Sequence, residues 1–228
     1  MNRVPRFGMI VVCMVLLSPL GSAQNLLKYR DFEFGMNVDA VLSQTKMDAS
    51  SAKTTFAVPD LIQTLRWDRD GYSFTPAETD PVRSVRFDFY NDQLFKIVAT
   101  YNSRRLEGVT VSDLIEAISK VYGTASNPDE TIIVSPYTGY EERQKVLARW
   151  ENSEAAYSLF QSSLGGEFGL VGSSKKLEGT ALPAIREAQR LDARAAPQRE
   201  IDRQQKLEEE WRAREEKSRS LNLPNFHP

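Results

Sequence analysis

Cysteine and histidine are nearly absent from this chain of 228 residues, which contains one of each. A single cysteine cannot close an internal disulfide or supply the thiolates of a zinc site. The one imidazole belongs to His227, close to the C-terminus, where we do not expect it to hold the ~3 Å geometry that activation of a serine or cysteine nucleophile requires. We therefore assign no catalytic, cofactor-binding or metal-binding residue and expect the protein not to be an enzyme.

The chain also lacks an excess of either charge. It has 29 lysines and arginines against 31 aspartates and glutamates, so it carries no broad cationic field, and nucleic acid is not an expected partner. No glycine-rich phosphate loop is present. Asp68 and Asp70 resemble the centre of a calcium loop, but with Gly71 at its sixth position the first and twelfth positions are Arg66 and Ala77. A turn between two strands is the better interpretation.

Residues 1–23 have the pattern of a secretory signal peptide. Two arginines precede an apolar run from Phe7 to Leu17, and the small residues Gly21 and Ala23 end the segment. The run is too short to span hydrocarbon, so we expect no stable membrane span after removal of the signal; an uncleaved anchor is the alternative. Cleavage after Ala23 would also remove Cys13. A cysteine-free exported chain favours the bacterial periplasm, or secretion from a bacterium, over an animal secretory route.

The next part of the chain consists of two halves, residues 32–102 and 108–172, with the same order of predicted elements. Each begins with a capped amphipathic helix, Val38–Thr45 after Asn37 in the first and a helix from Val111 to about Tyr122 in the second. Alternating apolar residues then predict strands at 61–67, 82–90 and 94–101, and again at 131–135, 145–150, 156–161 and 167–171. Turn signals at Asn91-Asp92 and Asn152-Ser153 separate neighbouring strands.

This order predicts an α+β domain from about residue 30 to 175. Hairpins favour antiparallel pairing, so we expect one antiparallel sheet with both helices packed on one face. We interpret the order as an internal duplication of a helix plus three strands; two similar helix caps that arose by chance are the alternative.

The helix entry Phe34-Gly35-Met36, followed five residues later by Val41, resembles small periplasmic proteins of the β-lactamase-inhibitor-protein and SmpA outer-membrane-assembly-lipoprotein type. The repeated helix-plus-sheet order extends this resemblance in layout from Phe32 to Val171. The chain departs from that pattern because it has no lipidation cysteine, no disulfide cysteines, and a long charged tail. The resemblance implies a binding scaffold rather than a catalyst, and it assigns no functional residue.

A charged tail follows at residues 181–228. Nineteen of the 34 residues from Arg186 to Arg219 are charged, and acid-first i, i+4 pairs such as Glu208 with Arg212, Glu210 with Arg214 and Asp202 with Lys206 favour helix. Pro197 predicts a break or kink between a helix over 182–196, which could dock on the domain, and a second helix over 198–219. The tail is either a solvated helix without a partner or an arm that binds a partner or self-associates.

Aromatic side chains are the candidates for recognition. Trp67 and Trp150 are predicted core residues at strand ends. Four aromatics in connections and one in the tail are predicted partner-binding residues, namely Tyr72, Phe74, Tyr137, Tyr140 and Trp211. We therefore expect an exported, non-enzymatic binding or envelope-assembly module with a protein or peptide partner.

Two alternatives remain. One is a hydrolase of envelope glycans or peptides that uses paired carboxylates, the catalytic option that the composition leaves open; candidate pairs are Asp31/Glu33, Asp68/Asp70 and Glu141/Glu142. The other is an envelope structural protein that self-associates through its tail.

Overall fold

The computed structural model describes residues 25–69, 80–135, 137, 143–162 and 166–225. The signal-peptide prediction for residues 1–23 and the predicted recognition residues Tyr72, Phe74 and Tyr140 lie outside these ranges. The described chain is α+β, with an eight-stranded antiparallel sheet, a small two-stranded sheet and three α-helices. The small sheet pairs β1 (Lys28–Tyr29) with β2 (Phe32–Glu33).

The first half consists of a short helix and four strands. Helix α1 (Val38–Thr45) begins where the Asn37 side chain accepts a hydrogen bond from the Ala40 amide at 2.9 Å, as its N-cap position predicts. The strands are β3 (Ala52–Phe56), β4 (Ile62–Asp68), β5 (Val82–Tyr90) and β6 (Gln93–Tyr101). Three of these strands match the sequence prediction; β3 was missed because it lies at the sheet edge and its exposed Lys53 and Thr54 break the apolar alternation.

The second half repeats this order of elements. Helix α2 (Val111–Tyr122) begins with the predicted capping box between Thr110 and Asp113. Its four strands are β7 (Thr131–Ile133), β8 (Arg143–Glu151), β9 (Ala155–Gln161) and β10 (Phe168–Ser174). Each half is thus a helix followed by four strands, not three, and a duplication as its origin stays a prediction.

The two halves form one sheet, because their last strands pair with each other. The strand order is β3-β4-β5-β6-β10-β9-β8-β7, and every neighbouring pair is antiparallel. The central pair of β6 and β10 runs from Thr100 opposite Gly169 to Lys96 opposite Ser173. A prediction of one continuous antiparallel sheet is therefore confirmed.

The main core lies on the sheet face that α1 and α2 cover, as predicted. Val41 and Leu42 of α1 belong to this core with Phe87 and Phe89, and the apolar side chains of α2 pack against it. Trp150 is completely buried in this core and donates from Nε1 to the Ser119 hydroxyl of α2 at 3.0 Å. Trp67, by contrast, is only half-buried at the margin of this core.

The opposite sheet face is covered by the beginning of a third helix, α3 (Lys175–Asn222), which starts directly after β10. Ala181 and Ile185 of α3 pack on Ile62 and Phe95 of the sheet, and Ala188 is the last buried residue of the helix. None of the helices in the described ranges combines the length and apolar character that a membrane crossing requires.

The prediction that the tail breaks near Pro197 is wrong, because α3 continues through this residue to Asn222. A proline inside a helix removes its own hydrogen bond to the carbonyl four residues earlier, here that of Ala193. Ala193 is exposed, so water can satisfy that carbonyl. Arg199 bridges the site by donating to the backbone carbonyl of Asp192 at 3.2 Å and to its carboxylate at 2.9 Å.

Candidate functional site

Most of α3 projects beyond the sheet. From Asp192 onward every residue of this helix is exposed, over a length of about 45 Å at 1.5 Å per residue. Large apolar side chains on this segment are open to solvent, with Leu207 55% and Trp211 65% exposed. Leu207, Trp211 and Leu221 lie within about 80° of one another around the helix axis, because each residue advances about 100°. We call residues 192–222 the arm and these three side chains its apolar stripe.

Ion pairs along the arm leave this stripe uncovered. Glu208 pairs with Arg212 at 2.6 Å and Glu210 with Arg214 at 3.9 Å, as their i, i+4 spacing predicts. The third predicted pair does not form, because Asp202 accepts a hydrogen bond from Gln198 instead of meeting Lys206. Each exposed pair stabilises a helix by only about 0.2–0.5 kcal/mol.

Tyr137 is the one predicted loop aromatic within the described residues, and it lies on the α3 side of the sheet. Its ring packs against the cluster that contains Ile62 and Phe95, and the Arg86 guanidinium lies 5.9 Å from its centroid. Burial raises the pKa of the Tyr137 hydroxyl. Tyr137 and Trp211 therefore do not share a surface, and partner binding by either remains a prediction.

A row of charged residues crosses the same sheet face and was not found from the sequence. Asp88 is completely buried and accepts from Arg86 Nε at 3.0 Å. Arg86 also donates to the Val134 carbonyl, and Lys96 Nζ donates to the Ile133 carbonyl at 2.9 Å. Burial lowers the pKa of Lys96, against the opposing effect of the nearby Asp88. These bonds hold the end of β7 and the residue after it against the sheet.

A second polar cluster surrounds Asp80 at the edge of the main core. Arg30 binds both carboxylate oxygens of Asp80, Arg69 donates to one of them, and Val82 N donates to the other at 3.0 Å. The hydrogen bonds from Arg30 hold the pKa of Asp80 well below its usual range. The Arg69 guanidinium also lies 5.0 Å from the Trp67 ring.

The Asp80 cluster lines an open cleft of about 510 Å³. Asp31 and the half-buried Trp67 line the same cleft, so the fold brings two carboxylates to one concavity. The Asp80 cluster could not be predicted from the sequence because Arg30 and Asp80 are 50 residues apart. The available signal was Asp80-Pro81 at the start of β5, where an aspartate commonly accepts from the amide two residues on.

Within the described ranges, no group of three or more histidine, cysteine, aspartate or glutamate side chains is arranged to hold a metal ion. Comparisons of the chain with protein-family models, with curated proteins and with solved structures gave no match.

Proposed function

We propose that the protein is a non-enzymatic binding or assembly module. Its α+β domain carries the exposed arm, and the arm binds a protein partner. The observation that carries this proposal is the exposure of Trp211, at 65%, on a helix that projects from the sheet. Large aromatic side chains on a helix are frequent anchors of protein interfaces, because they bury much apolar area with few rotatable bonds.

The energetics of the arm support a partner. A single helix in water is marginally stable without an apolar face to bury, and the arm has no such burial within the described protein. Trp211 is 65% exposed, so its burial would remove about 100–160 Å² from water, which at about 25 cal/mol per Å² contributes roughly 2.5–4 kcal/mol before ordering costs. Leu207 lies one helical turn from Trp211 and would enlarge the same contact.

We place this activity outside the cytoplasm, in the periplasm or the medium of a bacterium. The sequence of residues 1–23 supports export, and the binding role agrees with the resemblance to periplasmic scaffold proteins. Fractionation of cells that express the full chain, with N-terminal sequencing of the exported product, tests both points. Retention of residues 1–23 on a cytoplasmic product would contradict export.

The hydrolase alternative has less support. A carboxylate-dependent glycosidase needs one carboxyl group that stays protonated until it donates to the leaving group. Asp80 is unsuited to that role, because its bonds to Arg30 and Arg69 hold its pKa well below its usual range. The Asp80 cluster is better explained as a structural anchor that joins the turn between β1 and β2 to the end of β4 and the start of β5.

Site-specific photo-crosslinking tests the arm. A photoreactive phenylalanine analogue replaces Trp211 in the full chain, and a matched variant carries it at Gln205, which is also exposed but lies about 120° away around the helix. We expect a defined protein adduct from position 211 and little from position 205. Equal adducts from both positions would contradict the proposal.

The identified partner is then purified and its affinity for the full chain is measured by calorimetry. Trp211→Ala should weaken binding at least tenfold, as expected for an anchor worth more than 1.4 kcal/mol, whereas Gln205→Ala should not. An adduct between two copies of this chain, with concentration-dependent mass in light scattering, would instead support self-association through the arm.

A further inference from the structure

A second concavity lies on the α3 side of the sheet, apart from the arm and from the Asp80 cleft. It has a volume of about 270 Å³ and opens between β7 and the first turns of α3. Its walls are partly apolar, from Ile132 and Leu182, and partly polar, from the hydroxyls of Ser158 and Ser173. Such a mixture of apolar wall and few polar groups is typical of small-molecule sites, although this volume suits only a small ligand.

Charges of opposite sign line this cavity. Lys96 is only 3% exposed, and among the described residues its ammonium donates to one acceptor, the Ile133 carbonyl. An ammonium group has three donors, so Lys96 has donors for further acceptors. Glu178, in the first turn of α3, also lines the cavity and accepts from the Ser173 hydroxyl at 2.7 Å. A carboxylate has room for further donors beyond this one.

An arginine lies at the rim of the cavity. Arg149 lines the cavity and pairs through its terminal nitrogens with Glu130, at 2.5 Å, and with Glu151, at 3.3 Å. Its Nε is buried and has no hydrogen-bond partner among the residues that the structure describes. Arg149 is thus already neutralised by two carboxylates. The other charged residues that line the cavity are Lys96, Glu178 and Arg143.

We propose that this cavity binds a small zwitterion of the amino-acid type. Its carboxylate would pair with the Lys96 ammonium, its ammonium with the Glu178 carboxylate, and its short apolar side chain would contact Ile132 and Leu182. A ligand with both charges pairs with the buried Lys96 and the half-buried Glu178 at once, whereas a simple anion would be repelled by Glu178 and a simple cation by Lys96 and Arg143. This binding is independent of the arm and needs no partner protein.

Calorimetry on the full chain with three matched probes tests the charges. L-leucine carries both charged groups, 4-methylpentanoate lacks the amine, and 3-methylbutylamine lacks the carboxylate. We expect L-leucine, or the smaller L-valine or L-alanine, to bind at millimolar concentration or better, and each singly charged analogue to bind at least tenfold more weakly. Equal binding of the carboxylate analogue, or no binding of any of the three amino acids, would overturn the proposal.

Two variants place the ligand in the cavity. Glu178→Gln keeps the shape of a half-buried side chain and should weaken amino-acid binding at least tenfold. Glu187→Gln, the same change on a half-exposed side chain of α3 that does not line the cavity, should leave it unchanged. Lys96→Met should abolish binding. Because Lys96 is buried, the folding of this variant is checked by circular dichroism. Unchanged affinity in Glu178→Gln would refute the site even if Lys96→Met failed to fold.

Discussion

Gly172→Ala should destabilise the fold, because the added methyl group would overlap a buried aromatic ring. Gly172 of β10 lies directly opposite Tyr157 of β9. A Cβ at this glycine would lie 2.3 Å from Tyr157 Cε1 and 2.7 Å from Cδ1, well inside van der Waals contact. Tyr157 cannot move aside easily, because it is completely buried and stacks on Tyr122 with ring centroids 4.2 Å apart.

Overpacking of this kind typically costs about 1–3 kcal/mol. In a protein of this size each kcal/mol lowers the melting temperature by about 2–4 °C. A matched control is Gly179→Ala, which makes the same change on an exposed position of α3 with no atom within 4 Å of the new Cβ. There the substitution should stabilise by about 0.5–1 kcal/mol, because alanine favours helix over glycine.

Thermal and urea unfolding of the three proteins, followed by circular dichroism, measures both effects. The double variant Gly172→Ala with Tyr157→Leu should lose less stability than the sum of the single variants, by at least about 0.5 kcal/mol, since the smaller side chain removes the overlap. Additive losses, or a Gly172→Ala protein as stable as the natural one, would show that the Tyr157 ring does not lie over this glycine.

Burial raises the pKa of Tyr122 to about 12, so between pH 10 and 12 the unfolded chain has released a proton that the folded protein keeps. Tyr122 should therefore lower the free energy of unfolding by about 1 kcal/mol for each pH unit in this range. In urea unfolding measured as a function of pH, Tyr122→Phe should lose less stability at alkaline pH than the natural protein. The pKa of Asp80 is lowered by Arg30, so its stabilisation is present above pH 4 and lost at lower pH. Asp80→Asn should cost about 1–3 kcal/mol at neutral pH in the same assay and flatten the acid limb; an unchanged limb would refute the anchor role. Pro197→Ala should slow amide hydrogen exchange in the arm about tenfold or more without altering the melting of the sheet, and unaltered exchange would mean that the proline does not weaken the helix.

Local patterns in the sequence predicted the parts of the fold that local physics determines. The alternation of Val85, Phe87 and Phe89 identified β5, whose apolar side chains face one core. Asn91 and Asp92 both adopt positive φ, of 46° and 62°, as the predicted two-residue hairpin turn requires. In these places one short segment contains all of the information that its conformation needs.

Features that depend on distant segments could not be predicted in this way. The third helix begins six residues before the predicted tail. Its first turns are stabilised because Ala181 and Ile185 pack on a sheet face that exists only after the strands have assembled. In the sequence, Lys96 is an ordinary polar residue of a predicted strand. It becomes a buried hydrogen-bond donor only because the fold brings the distant Ile133 carbonyl to it. Trp211 is predicted as a partner-binding residue of the tail; its side chain is exposed, and binding to a partner stays a prediction.

The continuity of α3 connects two sites that look separate along the chain. Glu178 lines the small cavity and Trp211 lies in the apolar stripe, and the same helix joins them over about 50 Å at 1.5 Å per residue. A helix of this length amplifies small rotations at its base: a tilt of about 5° at the sheet would displace Trp211 by about 4 Å. The seating of the first turns of α3 thus sets where the tip of the arm can reach.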